Sequence, residues 1–216
     1  MKRKNKTVLS SKSGKVAVIT GGTRGIGLEV IKMLLKCDIT VVIGCRNTAQ
    51  GEILLNILKN ENITKGKIEV LKLDISIMDS VKQFSTTVKE NYPKIHYLIN
   101  NAGIMFGPYI ETIDGYESQF STNYLGHFLL THFLLPQLKA AGEQQSMARI
   151  VNNAEQGAIP IVHACLSSKL EGKGGTYIHN CKVFPTSEMA NSVELQKRLF
   201  DFTIKLLKIN NFGMTQ

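Results

Sequence analysis

The sequence predicts an α/β fold built on a doubly wound parallel sheet, and three observations carry that expectation. Short apolar runs dense in β-branched residues alternate with longer segments whose apolar residues recur at helical spacing. A glycine-rich turn joins the first such run to the first helical segment. At 216 residues, 43% hydrophobic and 20% charged, the chain is long enough to bury one sizeable core.

KVAVIT (15–20) is a continuous apolar run, as expected of a strand covered on both faces. GGTRGIG follows, and LEVIKMLLK then shows helical spacing. ITVVIGC (39–45) reads as a second buried strand and AQGEILLNILKN as a second helix. KIEVLKLD (67–74) alternates into a third strand, and MDSVKQFSTTVKENY is an amphipathic helix. HYLINNAG (96–103) is a fourth strand ending in a polar turn. GYESQFSTNYLGHFLLTHFLLPQLKAA is a long helical segment, and ARIVN a fifth strand. After residue 152 the rhythm changes. EQGAIPIVHACLSSKL reads as one helix despite Pro160 near its start, GGTYIHNC (174–181) as a strand, and SVELQKRLFDFTIKLLK as a final amphipathic helix. No internal repeat interrupts this order. Residues 14–216 therefore read as a single domain, with a nucleotide half at 14–152 and a helix-strand-helix remnant at 153–210; residues 1–13 read as a basic flexible tail.

Lys+Arg of 26 against Asp+Glu of 17 gives a net charge of +9. The basic residues are scattered over expected helix faces, as at Lys32, Lys36, Lys82 and Lys89, and only MKRKNK at the start forms a cluster. That distribution speaks for a solvated surface rather than a nucleic-acid site, with at most weak contact between the tail and an anionic membrane surface. Cys37, Cys45, Cys165 and Cys181 show no CxxC spacing, and two of them sit in apolar runs, as reduced core thiols do. Sequons at Asn5 and Asn62 carry little weight in such a chain. No apolar run approaches the roughly 18 residues that span a bilayer, and TVLSSKSG is too polar for a signal-peptide core. The expected location is cytoplasmic, or the cytosolic face of an intracellular membrane.

TGGTRGIG (20–27) sits between a strand and a helix, where a phosphate cradle belongs. Gly21 permits a tight turn, Gly25 lets backbone approach a pyrophosphate, and Gly27 lets the helix pack against the sheet. The amides and dipole at the helix start then face the phosphates, the arrangement of a Rossmann-like domain. At the end of the second strand, an acidic residue would accept hydrogen bonds from a ribose 2′-OH. This chain has Arg46 there and Arg24 within the glycine turn, so the sequence favours NADP(H) over NAD(H); the competing reading leaves either arginine merely exposed.

Four ordered motifs now stand together: TGxxxGxG at 20–27, Asp74 ending the third strand, NNAG at 100–103 and TNYLGHFLLT at 122–131. With them the chain resembles the short-chain dehydrogenase/reductase family, its retinol-dehydrogenase-like branch above all, over residues 14–152. The resemblance implies that Gly21, Thr23, Arg24, Gly25, Ile26 and Gly27 hold the pyrophosphate and adjacent ribose, and that Arg46 faces the 2′-phosphate. It implies that Asp74 and Ile75 flank the adenine, and that Asn101, Ala102 and Gly103 line the adenosine ribose and steady the sheet. Asn123 matches the active-site asparagine that holds a water in a proton relay. The lineage implied is NADP(H)-dependent alcohol/carbonyl interconversion on a lipophilic substrate of the retinoid or isoprenoid kind.

The resemblance resumes in the tail, from the Glu155-Gln156-Gly157-Ala158 turn to the last helix, so the family's middle segment is the part expected to be missing and the fold incomplete on its C-terminal side. Such domains run to roughly 250 residues. In the family the fifth strand ends at a serine that bonds the substrate oxygen, and a tyrosine with a lysine four residues on transfers the proton. Residues i and i+4 stand one turn apart, so the ammonium can lower the phenol pKa. Here Tyr92, Tyr97, Tyr109, Tyr116, Tyr124 and Tyr177 are followed at that spacing by His96, Asn101, Ile113, Phe120, Phe128 and Cys181. None is a lysine. Tyr177 and Lys182 stand one residue too far apart, and Asn153-Ala154 occupies the place of the serine.

Three readings follow. The chain is an oxidoreductase using Tyr177 or His179 as an improvised proton donor; a silent nucleotide-binding module that associates with itself or with intact relatives; or a spliced or mis-assembled chain with no stable role. In the last two, Phe128, Leu129, Phe133 and Leu134 are expected to be partly uncovered, and the fifth strand to be an open edge unless 174–181 pairs there. His127 and His132, five apart, suit core or surface histidines better than a metal pair. His179 and Cys181 would share one face of a strand, with no further ligand cluster to make a zinc site.

Overall fold

The computed structural model describes residues 10–142, 148–152 and 157–214. The MKRKNK cluster, Asn5 and Asn153-Ala154 lie outside them. Five parallel strands form the sheet: β1 (Val16–Thr20), β2 (Thr40–Cys45), β3 (Ile68–Lys72), β4 (Tyr97–Asn100) and β5 (Arg149–Asn152), in the order β3-β2-β1-β4-β5. The expected doubly wound α/β fold is the observed one. Strand β1 sits in the middle and serves both faces. Ala17 and Ile19 join one apolar cluster and Val18 the other, all at 0% exposure, as the two-residue period of a strand requires.

Helices α1 (Gly25–Lys36) and α2 (Thr48–Asn60) cover the first face through Ile31, Leu34, Leu54 and Leu58. Helix α3 (Met78–Asn91) covers the second through Val81, Phe84 and Val88. The long helical segment is a compound one. A single turn, α4 (Ser118–Phe120), runs into a π-helical turn at Ser121–Leu125, and α5 (Gly126–Gly142) continues to the end. In the widened turn the Gly126 N–H reaches back to the Ser121 carbonyl. Leu130 and Leu134 of α5 then bury completely against the sheet, each such side chain stabilising by about 1.5–3 kcal/mol.

The C-terminal part departs from the sequence expectation. Helix α6 (Ala158–Leu166) forms, with Pro160 in its first turn where no intrahelical donor is lost, but it stops at Leu166 and a 3-10 turn follows at Ser168–Leu170. Ile161, Val162 and Cys165 insert it into the cluster beside α1. The strand expected at 174–181 is only a two-residue rung: β6 (Ile178–His179) pairs antiparallel with β7 (Lys182–Val183), away from the main sheet. Asn180 and Cys181, both at positive φ (48° and 60°), make the two-residue turn between them. His179 and Cys181 therefore do not share a strand face. Among the described residues β5 pairs with β4 alone, and Ile150 at 41% exposure marks the open edge.

Helices α7 (Glu188–Asn191) and α8 (Val193–Leu206) close the chain. Helix α8 lies beside the start of α5. The Phe128 ring meets Phe200 at 5.6 Å and Phe212 at 4.9 Å between centroids, and the Tyr124 hydroxyl is 2.8 Å from that of Thr203. Expected exposure on α5 is accordingly corrected at two positions: Leu129 and Leu134 are buried, while Phe128 and Phe133 are half-buried. Lys32 is a second correction. It is not a solvated cation but a buried one, held by Glu61 at 2.6 Å and Glu29 at 3.1 Å.

Candidate functional site

In the order β3-β2-β1-β4-β5 the chain reverses direction of winding between β1 and β4, and the carboxyl ends of those two strands flank the resulting crevice. The glycine turn leaves β1 and the NNAG segment leaves β4, so the topology brings the two motifs together. Their contact is tight. Gly21 has φ +69°, and a Cβ there would lie 2.7 Å from the Ala102 Cα; at Gly27 it would lie 2.4 Å from the Gly21 carbonyl oxygen and 2.7 Å from the Asn101 amide nitrogen. Neither position admits a side chain. Gly25 differs: its φ is +56°, but a Cβ would meet nothing within 4 Å. The space in front of it is open.

A hydrogen-bonded clasp locks the crevice. Asn101 donates through Nδ2 to the carbonyls of Thr20 (2.9 Å) and Gly21 (2.8 Å). The backbone N–H groups of Asn101 and Ala102 both donate to Thr20 Oγ1, at 3.0 Å each. On its other side Thr20 Oγ1 lies 2.9 Å from His127 Nε2 in α5. Asn101 and Ala102 thus tie the loop after β4 to the end of β1. Gly103 follows, exposed.

At the start of α1, Arg24 is the N-cap and gives no side-chain cap. The first-turn amides are therefore left without a capping side chain, next to the open face of Gly25. Thr23 is half-buried, Arg24 exposed, and Ile26 packs against the core. The Gly21 N–H reaches the Gly44 carbonyl at 3.4 Å, which sets the glycine turn beside the end of β2; the exposed Arg46 stands two residues beyond. Asp74 accepts from the Ser76 N–H (3.0 Å) and hydroxyl (2.6 Å), and its own N–H donates to Ser80 Oγ. Ile75 is buried beneath Gly126, where a Cβ would come within 1.9 Å of the Ile75 carbonyl oxygen. The helix approaches β3's exit this closely only because residue 126 is glycine.

Asn123 lies in the π turn. Its amide spans the backbone of Ile104, accepting from the N–H at 2.9 Å and donating to the carbonyl at 2.8 Å. It thereby ties α5 to the loop that continues from NNAG. Burial pulls the His127 imidazole down to about 4, against the opposing pull of the Asn123 carbonyl. His132, also buried, accepts from the Gly213 N–H at 2.9 Å. Both histidines belong to the core, with separate partners.

The tyrosines are dispersed. Tyr92 bonds Glu69, and burial followed by that carboxylate pushes it up to about 12; burial also pushes Tyr97 to about 12. Both shifts run against what a proton donor near neutrality needs. The Tyr116 hydroxyl reaches the Leu206 carbonyl, and Tyr177 stands beside the β6–β7 hairpin. Thr20 and His127 were the site residues hardest to see in sequence, since nothing in TGGTRGIG or TNYLGH indicates that they touch.

A family model described as short chain dehydrogenase matches residues 15–166. The chain belongs to the short-chain dehydrogenase family. Among its relatives, polyprenol dehydrogenase of Danio rerio is 40% identical over 143 residues, covering 66% of this chain and 44% of that protein. Retinol dehydrogenase 12 of Homo sapiens is 37% identical over 193 residues, covering 86% and 57% respectively. The retinol-dehydrogenase-like branch of the family is therefore the right one, and the chain spans about half the length of the relatives it matches. A metagenomic short-chain oxidoreductase in complex with NADP is 27% identical with a TM-score of 0.56, over 66% of this chain and 62% of that one. An uncharacterised Mycobacterium paratuberculosis protein, 22% identical, superposes with a TM-score of 0.71 over 93% and 96% of the two chains, which shows the fold. Among the described residues no helix is long and apolar enough to cross a membrane.

Proposed function

We propose that this chain binds NADP(H) in the β1–β4 crevice, that its lineage interconverts alcohols and carbonyls on lipophilic substrates of the retinoid or isoprenoid kind, and that the chain itself turns over poorly. The observation that carries the binding is the clasp of Thr20, Asn101 and Ala102, which holds the glycine turn open in front of the uncapped start of α1. Open space in front of Gly25, where a Cβ would meet nothing within 4 Å, supports a phosphate there, and in this reading the Gly25 amide with those of Ile26 and Gly27 would form the cradle. Gly21, Thr23 and Arg24 complete the phosphate side; Arg46 meets the 2′-phosphate, Asp74 and Ile75 the adenine, and Asn101, Ala102 and Gly103 the ribose. The bound cofactor supplies hydride chemistry at a carbonyl carbon.

The proton is the missing half. Asn123 stays in place, but no tyrosine in this chain has a lysine four residues on, and positioned proton transfer is worth roughly 10²–10⁴ in rate. The test is a fluorescence titration with NADPH beside an NADPH-oxidation assay on retinal and an aldehyde panel. Binding without turnover is the expected result. Turnover at the level of an intact relative rejects the silent reading, and absence of binding rejects the site. Arg46→Glu is expected to weaken NADPH and spare NADH.

Among the described residues no strand pairs with the outer edge of β5, which favours a second property, association with another copy or an intact relative; it is read by sedimentation at increasing concentration. The cytoplasm, or the cytosolic face of an intracellular membrane, is the proposed location, with the basic tail making at most weak lipid contact and no nucleic acid involved.

A further inference from the structure

Counting protons at Thr20 leads to a residue that none of the motifs assigns. A hydroxyl offers one proton and two lone pairs. The N–H groups of Asn101 and Ala102, each 3.0 Å from Thr20 Oγ1, take both lone pairs. The remaining neighbour, His127 Nε2 at 2.9 Å, must then receive the hydroxyl proton, because a third donor would have no lone pair to meet. Nε2 is thus the unprotonated nitrogen, and the ring proton sits on Nδ1, facing the Asn123 carbonyl at 3.4 Å.

We infer that His127 is a positioning residue: its ring, protonated on Nδ1, accepts the Thr20 hydroxyl proton and so aims both oxygen lone pairs at the Asn101 and Ala102 amides. One imidazole thereby connects three elements, the end of β1, the loop after β4 and the π turn that carries Asn123. Its burial at 7% exposure suits this neutral form, since an imidazolium there would present a third donor to an oxygen already facing two. An apolar side chain at 127 would leave the hydroxyl proton without an acceptor and let the oxygen rotate away from one of its amides. The inference rests on the reading of this crevice as the dinucleotide site for its consequence, but not for its chemistry.

The experiment uses the full chain with ¹⁵N-labelled imidazoles at neutral pH, without nucleotide. The expected long-range ¹H–¹⁵N pattern at His127 is that of a neutral ring protonated on Nδ1, the less common tautomer of a histidine in water. Thr20→Val is expected to change that pattern. A ring protonated on Nε2, or one indifferent to Thr20→Val, overturns the inference. NADPH affinity is the second readout: His127→Leu is expected to weaken it about tenfold, as the loss of one buried hydrogen bond does, and His127→Gln, which keeps an acceptor, to restore most of it. Equal affinity in His127→Leu and wild type overturns the positioning role. Failure of the wild type to bind NADPH, with the Nδ1 pattern intact, overturns the dinucleotide reading and leaves the clasp standing.

Discussion

The buried His127 makes the fold lose stability on mild acidification, starting above the range in which carboxylates titrate. An unperturbed histidine has a pKa of about 6.5, and burial lowers His127 to about 4. The unfolded chain therefore takes up a proton that the folded chain refuses, so stability rises with pH across this range. The contribution is complete above pH 6.5, shrinks as pH falls toward 4, and amounts to about 3 kcal/mol over the whole interval. Between pH 7.5 and 5.5 the linkage relation gives a loss of about 1.4 kcal/mol from this ring. The half-buried His96, whose Nδ1 accepts from the Val16 N–H and which burial also lowers to about 4, adds a loss of the same sign. Urea denaturation at the two pH values, followed by circular dichroism, reads the difference. His127→Gln is expected to be less stable at pH 7.5 but to lose about 1.4 kcal/mol less than wild type on acidification. Equal pH dependence in the two proteins would refute the assignment of the titration to this residue.

Other outcomes follow from particular contacts. Gly126→Ala drives a Cβ to 1.9 Å from the Ile75 carbonyl oxygen, a backbone atom that no rotamer change removes; thermal denaturation is expected to show a loss of at least about 1–3 kcal/mol, and an unchanged Tm contradicts the close approach. Gly21→Ala combines a positive φ with a clash against Ala102, and should abolish NADPH fluorescence enhancement while Gly103→Ala, whose Cβ meets only Asn123 Oδ1 at 3.4 Å, weakens it less. Among the thiols, Cys37, Cys45 and Cys165 are buried and Cys181 sits half-exposed in the hairpin turn. Burial pushes Cys165 up to about 12 and raises Cys37. With a disulfide reagent at pH 8 one thiol should therefore react at once and three only on unfolding, and Cys181→Ser should remove the fast phase; a fast reaction persisting in that variant counts against the burial described.

The described strands and helices before Asn152 were legible because their signals are local. The apolar runs of β1 and β2 sit inside the core and show no polar face, and the glycines at 21 and 27 stand where any Cβ would strike backbone or the Asn101 amide. Beyond Asn152 the signals mislead. GGTYIHNC has strand composition, yet Asn180 tolerates positive φ and turns the chain back after two residues. Lys32 looked like surface on a helix face, and became buried because Glu61, distant in sequence, folds over it.

Periodicity and glycine placement alone determined the strands, their alternation with helices and the place of the glycine turn, because each depends on residues within one strand or one turn of one another. Tertiary structure alone decided what holds that site together. Thr20 and His127 are 107 residues apart, and their contact exists only because the π turn sets α5 against the end of β1. A hydrogen bond across that separation leaves no spacing in the sequence to read.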